Sequence, residues 1–91
     1  MLRRSPMRNG KTRITFSLPA DEPGGVVSVV GDFNDWTPGR HVLVRRRSGT
    51  RSVSTDLAAG TYLFRYLGAG GIWFDEPDAD QLADGGSVIE I

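Results

Sequence analysis

The chain has 91 residues, 11 basic and 11 acidic side chains that cancel to a formal net charge of zero, and no cysteine. That length gives one domain with a single core and excludes a deep, many-walled catalytic cavity; the lack of cysteine excludes disulfide staples and thiolate zinc sites and suits a reducing, cytoplasmic setting. A neutral total removes the long-range field on which nucleic-acid binders rely, despite Arg45-Arg46-Arg47, and no apolar window is long enough to span a membrane, so neither partner is expected.

Residues 1–11 carry Arg3, Arg4, Arg8 and Lys11 among Ser, Pro, Asn and Gly without periodicity, which predicts a flexible basic tail ahead of one folded domain over 12–91. From Thr12, the apolar Ile14, Phe16 and Leu18 alternate with Arg13, Thr15 and Ser17, the pattern of a half-buried strand. Pro19 to Gly25 turns the chain, and Val26-Val27-Ser28-Val29-Val30 reads as a second strand. That strand ends in Gly31-Asp32-Phe33-Asn34-Asp35-Trp36, where turn-forming residues hold an aromatic ring at a strand end. A third strand is expected over Arg40 to Arg46, with Val42 and Val44 on one side and His41, Leu43 and Arg45 on the other.

Ser48-Gly49-Thr50 supplies a hairpin turn into a fourth strand, Ser52 to Leu57, which places Val53, Thr55 and Leu57 on one face. In the fifth, Thr61 to Leu67, Tyr62, Phe64 and Tyr66 share the predicted core face, whereas Leu63, Arg65 and Leu67 share the other. A glycine turn, a short strand Ile72-Trp73-Phe74, a polar loop from Asp75 to Gly86 and a closing strand Ser87 to Ile91 complete the chain. No window has a helical period. Short strands divided by Gly, Pro and Asp at about 8–12-residue spacing predict an all-β sandwich of about seven strands.

Trp36, Trp73 and Arg65 are the most specific chemical feature. Sugars lay C–H faces on flat rings while a few donors fix their hydroxyls, so two indoles and a basic residue outside the core triad suit a shallow sugar site; the same indoles can also simply plug the ends of a sandwich. The acidic run Asp75-Glu76-Pro77-Asp78-Ala79-Asp80 lacks the residue order of a calcium loop and reads as solvated. It can attract the basic start of the chain, but exposed pairs are worth only about 0–1 kcal/mol each. His41, the single histidine, has no metal-ligand partner of the usual kind, and no walled cleft can set two carboxylates across a substrate. A non-catalytic protein with no metal or cofactor is expected.

Gly31 to Trp36, then Asp56 to Tyr66, Gly71-Ile72-Trp73 and the final Val88-Ile89-Glu90-Ile91 resemble, in that order, the isoamylase N-terminal early-set domain, also called family 48 of carbohydrate-binding modules. The same pattern marks the glycogen-binding domain of the AMP-activated kinase β subunit. The resemblance runs from about Val26 to the end and implies an immunoglobulin-like sandwich whose binding members hold α-1,4-linked glucans, such as glycogen, starch or maltooligosaccharides, without cleaving them. It implies stacking roles for Trp36 and Trp73, and it sets Arg65 where binding members usually carry lysine. Leu82 matches a leucine that packs on the sugar, and Gly86-Ser87 stands where those members have an asparagine pair that bonds hydroxyls. Such domains usually accompany a catalytic domain or a kinase, so a glucan-active enzyme acting in trans is a further implied partner. The missing Asn side chains and the short loop from Asp75 to Gly86 support an alternative, a structural or protein-interaction domain that has lost the sugar.

Overall fold

A strand with one apolar side can bury it only against a second layer, and the computed structural model of residues 1–91 meets that need with two antiparallel sheets in an all-β sandwich. Nine strands follow one another: β1 Leu2–Pro6, β2 Thr12–Pro19, β3 Ser28–Gly31, β4 Val44–Arg45, β5 Thr50–Leu57, β6 Thr61–Gly68, β7 Ile72–Phe74, β8 Gln81–Ala83 and β9 Gly86–Glu90. One sheet has the order β1-β2-β5-β4; the other has the order β3-β6-β9-β8, with β7 also paired to β6.

The core is the inward row of each strand. Ile14 and Phe16 from β2 and Leu57 from β5 meet Val29 from β3, Phe64 and Tyr66 from β6 and Ile89 from β9, with Val27 and Leu43 joining them from loops. Burying each such side chain stabilises the fold by about 1.5–3 kcal/mol. The Phe16 ring meets Phe64 edge-on at 5.1 Å, and Phe74 stacks on Tyr66 at 5.1 Å. Tyr62, the third aromatic of the predicted core row, is half-buried and donates its hydroxyl to Ala58 O at 2.8 Å. Gly31 allows β3 to end close against β6, because a Cβ there would lie 2.6 Å from Leu63 O and 2.7 Å from Phe64 Cβ.

Three sequence expectations change. The start of the chain is not a loose tail: residues 2–6 form β1, which pairs with β2 from Leu2 opposite Phe16 to Pro6 opposite Thr12. The expected third strand is short because residues 41–45 divide their pairing between the sheets. Val29 N donates to His41 O and Leu43 N to Val27 O on one sheet, then Val44 and Arg45 pair with β5 on the other. The stretch from Asp75 to Gly86 is more than a polar loop, since it contains β8 and the fully buried Glu76. With these additions the strand count is nine rather than about seven.

Candidate functional site

The loop after β3 is built by two short polar side chains. A single turn of 3₁₀ helix, Asp32–Asn34, follows Gly31, and Asn34 is buried beneath it. Asn34 Oδ1 accepts from Gly31 N at 3.0 Å, and Nδ2 donates to Val29 O and to His41 Nδ1, each at 2.9 Å. His41 Nδ1 is therefore the acceptor, which assigns the ring proton to Nε2. Burial, then the neighbouring Arg40 charge, holds the His41 pKa below its ordinary value, and a protonated ring would also lose the bond from Asn34.

Asp32 ties this loop to the sheet. Its Oδ1 accepts from the Trp36 indole Nε1 and its Oδ2 from Leu63 N in β6, both at 2.9 Å. Asp35 and Trp36 have φ of 56° and 55°, left-handed values that cost a residue with a Cβ about 1–3 kcal/mol. The bond from Trp36 N to Gly31 O at 2.9 Å, together with the Asp32 clamp, holds the half-buried ring in that conformation.

Trp73 is held differently. Strand pairing sets it opposite Leu67, so it shares the outward face of β6 with Leu63, Arg65 and Leu67 and with Val30 of β3. The ring is 44% exposed and its indole N–H makes no hydrogen bond, while Arg65 Cζ lies over it, 5.8 Å from the ring centre. Arg65 Nε is 3.3 Å from Asp75 Oδ1, within ion-pair range but out of line for a hydrogen bond. The terminal guanidinium nitrogens therefore remain free donors beside an exposed indole. The anchors of the two indoles, Leu63 and Leu67, are about 13 Å apart along one strand.

The other two expected contacts lie elsewhere. Ser87 is 0% exposed; it pairs with Phe64 on the core side, and its Oγ donates to Asp75 Oδ1 at 3.0 Å and accepts from Glu76 N at 2.9 Å. It cannot meet a ligand directly and instead braces the carboxylate beside Arg65. Leu82 is 61% exposed, but its pairing with Ser87 gives it inward parity, opposite to Arg65 and Trp73, at the uncovered sheet edge. Gln81, opposite Val88, has the outward parity instead. Gly86 also faces outward: a Cβ there would lie 2.6 Å from Arg65 Cγ, and its φ is 143°.

Composition gave no sign that Asp32, Asn34, Asp75 and Glu76 organise this region, although Asp and Asn inside a turn are the residues that bond nearby backbone. Glu76 Oε1 accepts from the Tyr66 hydroxyl at 2.6 Å and from the Met1 ammonium at 2.7 Å, and Oε2 accepts from Asp78 N at 2.8 Å. Burial by itself would raise the Glu76 pKa, but these donors outweigh it and hold the carboxylate below its ordinary range. The same burial and the adjacent Glu76 push the Tyr66 hydroxyl upward. Arg4 meets Asp80 at 2.7 Å, so the basic start and the acidic stretch are in contact.

Fold and site together define an all-β sandwich domain that displays an aromatic ring and a cation on one sheet face. No protein-family profile matches the chain. Over 53 residues, 57% of its length, it is 45% identical to the 1,4-alpha-glucan branching enzyme GlgB of Salinibacter ruber, a match that covers 8% of that enzyme. No helix is long and apolar enough to cross a membrane.

Proposed function

We propose that this domain binds an α-1,4-linked glucan without cleaving it, on the outward face of the β3-β6-β9-β8 sheet. Trp73 is the principal stacking ring, Arg65 donates to sugar hydroxyls, and Trp36 is a second platform whose orientation Asp32 fixes. The observation that carries this reading is an exposed indole with a guanidinium over it at 5.8 Å. Arg65, Leu63 and Trp73 offer apolar surface and free donors in the combination that a sugar face needs. The likeness to part of a branching enzyme supports the substrate class, and the small share of that enzyme involved fits a domain outside its chemistry.

Without the Leu82 and Ser87 contacts, binding is expected to be weak, near the millimolar range that corresponds to about 4 kcal/mol. Titration with maltoheptaose, followed by tryptophan fluorescence and amide shifts, should move the Leu63, Arg65 and Trp73 resonances together. An absence of saturable change would reject the reading. The inward parity of Leu82 and burial of Ser87 favour one alternative, a scaffold domain that engages protein instead; it requires that Trp73→Ala impair partner capture while maltoheptaose has no effect on the wild-type spectrum.

A further inference from the structure

Two charged side chains are buried in this domain, and only one of them has a counter-charge. Glu76 faces an ammonium. Arg51, in β5 opposite Leu18 and Arg45, is 5% exposed and forms no ion pair. Its Nη1 donates to Gly25 O at 2.7 Å and its Nη2 to Pro23 O, while Nε is enclosed and donates to nothing. Carbonyl dipoles relieve part of the burial cost, but a guanidinium cannot shed its proton to relieve the rest. An unpaired cation in this position is strongly unfavourable until an anion reaches it.

Arg51 lines a cleft of about 280 Å³, together with Ala20, Val26, Val42, Leu43 and Arg45. Asp21 also borders the cleft, but its carboxylate is engaged by Arg45 at 2.7 Å and is largely exposed. The geometry points to a carboxylate site: an incoming carboxylate with a short aliphatic stem is received by the second N–H that each Nη of Arg51 keeps beyond its carbonyl bond, next to the Arg45–Asp21 pair, and its stem lies on Val26, Val42 and Leu43. A planar carboxylate matches the guanidinium edge, and the apolar wall favours a carbon stem over a fully hydrated phosphate. This site is independent of the proposed glucan face, because it uses the inward row of β5 and the loop before β3. The carboxylate can come from a free short-chain acid or from an acidic side chain of another polypeptide.

The test follows the Arg51 Nε–Hε resonance and the Gly25 and Val26 amides of the full chain. Sodium butyrate, sodium phosphate or the capped peptide acetyl-Ala-Glu-Ala-amide is added against sodium chloride at equal ionic strength. The expected result is a saturable shift of Nε–Hε with butyrate, with the peptide or with both. Butyrate alone identifies a free acid, and the peptide alone a protein-borne one. Arg51→Lys keeps the charge but loses Nε–H and the planar fork, and the shift of Gly25 and Val26 should then need about tenfold more ligand. Asp21→Asn should leave the response in place. The inference is overturned if phosphate acts as well as butyrate, if no probe exceeds sodium chloride, or if Arg51→Lys responds like the wild type. Should Arg51→Lys fail to fold, the wild-type titration alone decides.

Discussion

The loop carrying Trp36 and the short strand carrying Trp73 hold the same kind of ring in opposite ways. Around Trp36 each polar group has a partner: the indole N–H is bonded to Asp32, and Asn34 fastens the loop to Gly31, Val29 and His41. Around Trp73 the ring is 44% exposed, its N–H is unbonded, and the Arg65 guanidinium lies over it at 5.8 Å with donors to spare. A fully bonded aromatic residue is a structural member first, whereas an unbonded one on a rigid strand is available to a ligand. The proposed binding energy should therefore reside mainly in Trp73, and loop stability in the residues that hold Trp36.

The sharpest way to break this contrast is Asn34→Ala. It leaves Gly31 N, Val29 O and His41 Nδ1 without partners inside the fold, and stability in urea should fall by about 3 kcal/mol. Next is Trp73→Ala, which should weaken maltoheptaose binding by about 2 kcal/mol while changing stability by about 0.5 kcal/mol or less. Asp32→Ala should do the reverse, lowering stability by about 1.5 kcal/mol through two lost bonds and affecting the ligand only through the looser Trp36 ring. If Trp73→Ala unfolds the domain while Asp32→Ala does not, the division of labour between the two rings is wrong.

A smaller effect is expected from pH. The folded His41 pKa is lowered by burial and then by Arg40, so the unfolded chain takes up a proton that the folded ring resists. Stability from this source is complete above the unfolded value of 6.5 and declines as pH falls from there toward the folded value. Glu76 acts in a separate and more acidic window. Its folded pKa is depressed, so its contribution is present above 4.5 and is lost as pH falls through the lower folded value. Urea midpoints across pH should show both declines, and His41→Gln should remove only the first. The smallest effect is assigned to Leu82→Ser, which should leave maltoheptaose affinity unchanged within error because the side chain has inward parity.

The alternating strands were legible because burial leaves a period-two pattern: β2, β5 and β6 stand where Ile14, Val53 and Phe64 and their neighbours predict them. β1 was not legible, because an edge strand held mainly by backbone bonds need not alternate, and four of its five residues are exposed. Residues 41–45 misled for another reason, since one continuous sequence pattern is divided between two sheets. At the candidate site, the outward side of Arg65 was legible from the alternation of β6, whereas that of Trp73 in the three-residue β7 follows from its pairing with Leu67. The side of Ser87 was not legible, because it was decided by its pairing with Phe64, a long-range fact that spacing does not contain.

Gly86 carries a consequence for how such a surface changes over evolutionary time. The asparagine pair of the glucan-binding domains that the sequence resembles would begin at this position, yet a side chain here would occupy the space of the Arg65 stem. A Cβ would also lie 2.7 Å from Phe64 O, and a φ of 143° strains any L side chain, so Gly86→Asn should destabilise the fold whichever residue stands at position 65. Lysine shares the Cγ and Cδ of arginine, so exchanging Arg65 for lysine would make no room for that asparagine, and a hydroxyl-bonding side chain at this position requires the turn between β8 and β9 to adopt another backbone path.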